Sequence, residues 1–219
     1  MESRFVTELE QLRMNIIEMA ALTEGAMERA LRAFFERNVD LANQVIQGDH
    51  EIDLLEVGVD RYCLRLLALE QPMARDLRFI VGCMRTAVDL ERIADQAVNI
   101  AERAVFLSNH PPLPSNPPLE QLAETAMDML HRVIQAFISQ SVERARAVCR
   151  MDDTADQLNM AVLKGLLDYM VRDAPAIERS VQTIIAARCL ERVADQTTNI
   201  AESVVFIAQG INIKHHCEG

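Results

Sequence analysis

Eight carboxylates of this chain fall at spacings that could hold metal ions. Glu91 and Asp95 stand four apart in "DLERIADQAVNIAE", residues 89–102, and Glu191 and Asp195 do so in "CLERVADQTTNIAE", residues 189–202. Ten of the fourteen positions are identical, and the shared ones are mostly polar. A helix duplicated only for its core would keep its apolar positions and let the polar ones vary. Two more pairs precede these stretches: Asp49 and Asp53 in "GDHEID", and Asp152 and Asp156 in "MDDTAD". Oxygen-only donors suit hard cations such as magnesium, calcium, manganese or iron.

On a helix turning about 100° per residue, Glu91, Asp95, Asn99 and Glu102 lie within about 80° of one another. Asn199 and Glu202 repeat the last two. Leu90, Ile93, Ala94, Ala97, Ile100 and Ala101 cluster on another side, so the acids form a strip beside the core. A single such strip reads equally well as a solvated face, and like charges at this spacing repel slightly.

The elements that must position these groups are helices. Ala, Leu, Met, Glu, Arg and Gln dominate a chain of 219 residues with seven Gly and no Trp, which favours helix. Five of the seven prolines lie in "HPPLPSNPPL", residues 110–119, where no helix can continue. The predicted organisation is a bundle over 1–108, a linker over 109–118, a second bundle over 119–210 and a tail over 211–219. Apolar spacing predicts helices over 4–36, from Asp40 as N-cap to about 70, and from Pro72 onward. The second half repeats them at about 118–139, 142–171, and from Pro175 to about 208. The fold class is all-α: two tandem antiparallel three-helix bundles, six long helices of up to about 45 Å.

The hairpins set what faces what. Residues equidistant from a turn share one height, so about residue 72 Asp53 mirrors Glu91 and Asp49 mirrors Asp95. About residues 173–174, Asp156 mirrors Glu191 and Asp152 mirrors Asp195. Two like charges about 4 Å apart cost about 4 kcal/mol at an effective dielectric of about 20. Four carboxylates at one level therefore call for protonation or a cation. Arg92 and Arg192 are the competing neutralisers.

A net charge of −11 argues against nucleic acid and against an anionic membrane surface. No apolar run is long enough to span a bilayer, and the charged start excludes a signal peptide. Five cysteines without a CxxC pair read as reduced thiols of a cytosolic protein. Arg75, Asp76 and Arg78 open the third helix without a counterpart in the second half, which makes them candidates for partner contact. Asp128 and His131 form one DxxH, short of the paired Glu-x-x-His of di-iron oxidases. The terminal "KHHCEG" reads as a frayed tail, and Met14, Met19, Met27, Met127 and Met129 as core fillers. No Gly-rich phosphate loop and no nucleophile–base pair is present.

"LERIADQAVNIAE", "LERVADQTTNIAE", "QPMARDLR" and "VIQGDHEIDLLE" resemble the PhoU family, and the resemblance runs from "TELEQLRMNI" to about "VVFIAQG". It implies a non-enzymatic negative regulator of the phosphate-starvation response and of phosphate uptake. It implies a cytoplasmic homodimer, peripheral to the inner membrane through its partners. Those partners are a PhoR-type sensor histidine kinase and the PstB-type ATPase of a phosphate transporter. Some members bind iron or zinc clusters on the acidic motifs, which fall here on Glu91, Asp95, Glu191 and Asp195. The family commonly has Gly where this chain has Ala94 and Ala194, and Glu56 is matched by Asn159, so the two sites differ in charge. A carboxylate-bridged metalloenzyme and a purely structural bundle are the alternative readings.

Overall fold

A computed structural model describes residues 2–211; the terminal "KHHCEG" lies outside them. The first half comprises α1 (Glu2–Glu36), α2 (Val39–Glu70) and α3 (Ala74–Ser108). The second comprises α4 (Pro117–Ser139), α5 (Val142–Cys149), α6 (Asp152–Arg172) and α7 (Ile177–Gln209). The result is the expected all-α architecture, with α5 and α6 sharing the place of one helix.

Local chemistry sets the boundaries. Asn38, not Asp40, caps α2: its side chain accepts the Leu41 N–H at 3.0 Å. Asp40 falls instead in the first turn, where a negative charge meets the helix's positive end. Pro72 precedes α3, which opens at Ala74, and Pro175 sits in a 3₁₀ turn, Ala174–Ala176, ahead of α7. Pro117 occupies the first turn of α4, where its missing N–H costs nothing. The helix expected over 142–171 is interrupted at Arg150 and Met151. Both residues keep right-handed backbone angles, and the Met151 N–H tightens onto the Val148 carbonyl at 2.9 Å. This puts Asp152 at the very start of α6.

The two bundles are not independent rods. α3 and α7 run side by side and make the most extensive helix contact in the molecule, so one core passes through both halves. Ile80, Leu90, Ile93 and Ile100 of α3, and Leu190, Val193 and Ile200 of α7, are fully or almost fully buried in it. Gly82 lets the helices close: a Cβ there would stand 2.3 Å from Ile207 Cγ1. Ala94 and Ala194 are buried in the same core. Met19, Met27 and Met129 fill it, but Met14 is 55 % exposed, contrary to expectation. Cys63, Cys83, Cys149 and Cys189 are buried and unbridged.

The linker between the halves is tied down by both of them. Arg37 donates to the carbonyls of Leu107 and His110. Arg179 donates to Pro111 O at 3.0 Å and lies 3.9 Å from Asp173. The Pro-rich segment is thereby held by an arginine from each bundle. No helix among the described residues is long and apolar enough to cross a membrane.

Candidate metal centres

The interior side of α2 carries Ile52, Val59 and Cys63, which are buried. Asp49, Asp53 and Glu56 sit at its edge, half-buried, next to α3. There the mirror relation holds. The Asp49 carboxyl is pushed above the usual range by burial first, then by Asp53 and Asp95. Glu91 is raised by burial, then by Asp95, Asp53 and Glu56. Asp95 is raised by loss of water and by Asp53. Glu56 belongs to the group too, raised by burial, Asp60 and Asp53. Its spacing of three from Asp53 on one helix face is the signal that places it there.

In the second half Asp152 is pushed up to about 6 by burial, then by Asp195 and Asp156. It starts α6, where the helix end favours the carboxylate, and it accepts a 3.4 Å hydrogen bond from Thr198 Oγ1. Burial and repulsion outweigh both. Asp195 is raised by burial, Glu191 and Asp156, against the pull of Arg192. Arg92 likewise opposes the shift at Glu91 without cancelling it. The arginines do not neutralise the acids. Thr198 has no polar counterpart in the first half, where Val98 stands.

The remaining repeated residues lie apart from these clusters. Asn99 Nδ2 donates to the Asp95 carbonyl at 2.8 Å, one turn back on its own helix. Glu102 pairs with Arg103 at 2.8 Å, and both act on the buried Cys189 thiol across the α3–α7 contact. Asn199 and Glu202 line a groove between α3 and α7 with Arg85, Arg92, Asp89 and Ser203. The polar repeat therefore does two things. Glu91, Asp95 and their copies face the acidic helices, whereas Arg92, Glu102, Asn199 and Glu202 build the junction of the halves.

The other candidates are engaged within the chain. Arg75 Nη2 donates to Gln140 Oε1 at 3.0 Å, and Arg78 Nε to the Ile207 carbonyl at 3.4 Å. Both reach the second half, which accounts for their having no counterpart there. Asp76 lies in the first turn of α3. His131 Nδ1 is 3.0 Å from Glu24 of α1, and Asp128 pairs with Arg132 at 2.8 Å. That DxxH is split between two structural contacts.

Among the described residues no three Asp, Glu, His or Cys side chains converge closely enough to hold a metal ion as they stand. The donor set nonetheless fits a hard cation. It is all oxygen, and repulsion within each group is a cost that a bound cation would relieve.

A PhoU-domain model matches the chain twice, over residues 16–104 and 119–204, one copy per bundle. The chain is 39 % identical over 208 residues to a phosphate-specific transport system accessory protein PhoU homolog of Aquifex aeolicus, covering 95 % of this chain and 94 % of that one. It is 33 % identical over 214 residues to the accessory protein PhoU of Escherichia coli, covering 97 % and 88 %. The crystal structure of PhoU from Pseudomonas aeruginosa superposes with a TM-score of 0.92 at 34 % identity, over 94 % of this chain and all of that one. That of the regulatory protein PhoU from Streptococcus pneumoniae gives 0.88 at 28 %, over 95 % and 98 %. Two matched domains, helical pairs closed by a shared core and full-length similarity lead to one conclusion: this chain belongs to the PhoU family.

Proposed function

We propose that this protein serves as a non-enzymatic regulator of phosphate homeostasis by joining two partners, a sensor histidine kinase of the PhoR type and the PstB-type ATPase of a phosphate transporter. It acts by preferring one conformation of the kinase, and it lowers the response when phosphate is plentiful. The family supports the regulatory role; the kinase, the ATPase and their consequences are our reading. So is cytoplasmic residence beside the membrane through these partners, as a homodimer.

The same reading assigns a cation to each bundle. Asp49, Asp53, Glu91 and Asp95 would hold one, with Glu56 beside them. Asp152, Asp156, Glu191 and Asp195 would hold the other. Iron, manganese, magnesium or zinc would supply positive charge that fixes the two helices of each hairpin. What supports this is the all-oxygen donor set that α2 and α3, and α6 and α7, bring side by side, where burial and neighbouring acids raise the carboxyls of Asp49, Glu91, Asp95, Asp152 and Asp195.

Co-purification tests the partner part. The full chain, mixed with the kinase's cytoplasmic portion or with the transporter ATPase of the same organism, is expected to co-elute with each on gel filtration. Separate elution from both at micromolar concentration would contradict it.

A further inference from the structure

The Pro-rich segment between α3 and α4 stands over unfilled space. Two half-open hollows flank it, of about 190 and 240 Å³. Each exceeds the roughly 150 Å³ of an apolar cavity that takes up benzene. Leu113, Pro114 and Leu166 line both, so the two adjoin beneath the segment. The first continues between Phe34, Phe35, Leu107 and Leu119. The second runs along Ala161, Gly165 and Tyr169 of α6, where the Tyr169 ring is fixed by its hydroxyl, which donates to Asp173 at 3.0 Å.

The segment cannot sink to fill these spaces. Arg37 and Arg179 hold carbonyls at its start, Pro117 begins α4 at its other end, and the prolines between have fixed φ. Nor does a side chain of α6 rise to meet it. Gly165 stands mid-helix, where Gly weakens a helix relative to Ala, and a Cβ there would meet nothing within 4 Å. Gly48 and Gly58 are as open, but neither lines either of these hollows. At Gly165 the missing side chain leaves the space.

The lining selects the occupant. Arg37 and Glu120 are the charged residues of the first hollow, one of each sign, and among the described residues none lines the second. Lys164, Asp168 and Arg172, exposed on α6, put both signs at its solvent edge as well. Neither sign of ligand is favoured by such walls. A helix, about 10–12 Å across, is too wide for spaces of this size. A narrow, flexible and uncharged chain fits the apolar course past Leu113 and Leu166. We propose that the hollows beneath the Pro-rich segment bind one alkyl chain, of a lipid or of a free fatty alcohol or acid, with its polar head left in water. The inference rests on neither the metal nor the partners proposed above.

The probe is diphenylhexatriene, an uncharged rod that fluoresces in apolar surroundings, with decanol as competitor. The full chain is expected to raise its fluorescence and decanol to displace it. Gly165→Leu enters open space on a helix and should melt no lower than wild type. It should nonetheless bind the probe at least about tenfold more weakly, because the new side chain fills the second hollow. Gly58→Leu, equally open but outside the hollows, should bind as wild type does. Flotation with phosphatidylcholine vesicles that Gly165→Leu abolishes identifies the chain of a lipid; displacement by decanol without flotation identifies a free one. No probe fluorescence with wild type, equal binding by Gly165→Leu, or equal loss in Gly58→Leu would overturn the proposal. So would a difference of more than about tenfold between decanol and decanoate, since charge and not the chain would then decide. Self-association of the wild type that Gly165→Leu abolishes would also overturn it, because a second copy would then fill the space.

Discussion

Asp195 of α7 lies close enough to Asp152 of α6 to help burial hold the Asp152 carboxyl above its usual range. For Asp152 the ordinary value of 3.8 becomes about 6. A proton therefore binds the folded chain more tightly than the unfolded one. The stabilisation from protonation is complete below the ordinary value and is lost as pH rises through about 6. In chelator, wild type is expected to melt at higher temperature at pH 5 than at pH 7.5. Asp152→Asn should flatten that difference and stabilise the pH 7.5 protein by on the order of 1 kcal/mol, after allowance for solvent screening. Equal pH dependence of variant and wild type in thermal melts would refute the assignment.

Gly82 and Ile207 make a second test. In an exposed helix, Gly→Ala gains about 1 kcal/mol. Here the new Cβ would meet a buried, branched side chain at 2.3 Å. Gly82→Ala is expected to destabilise by about 1–3 kcal/mol in urea, and Ile207→Ala in the same chain to recover part of it. A gain in stability from Gly82→Ala would show that α3 and α7 do not close as described.

Much of this was legible before the structure. That the acids of α2 lie beside those of α3 followed from hairpin symmetry alone, because two helices joined by a short turn share heights whatever their partners. The helices followed from apolar period and proline positions. The break at Arg150 and Met151 did not, since both residues are good or tolerated helix formers and keep right-handed backbone angles. Nor did the contact of α3 with α7. The strip of Asn99, Glu102 and their copies looked continuous with the acids on one helix, and only the neighbouring helix decides which residues meet carboxylates and which meet the other half.

Arg179 is mostly buried, its side chain 12 % exposed. Arg179→Ala removes the donor to Pro111 and Pro112 and the cation beside Asp173. A loss of about 1–3 kcal/mol is expected in urea, together with faster proteolytic cutting between residues 109 and 116. Wild-type resistance to protease would show that Arg37 alone anchors the segment.

Glu56 adds a carboxylate to the first group where Asn159 stands in the second. Glu56→Gln should raise the chelator-treated melting temperature at pH 7.5 and shrink the extra stabilisation given by manganese. An unchanged manganese response would remove Glu56 from the centre.

The most direct measurement is metal content per chain by mass spectrometry, on protein purified without chelator or nickel affinity, for wild type and Glu91→Ala/Asp95→Ala. The account predicts iron, manganese or zinc bound to wild type and lost in part from the variant, with helicity unchanged by circular dichroism. A wild-type chain that carries no metal, and is equally stable with and without added metal, would contradict it and leave the repeated acids as a charged surface for partners.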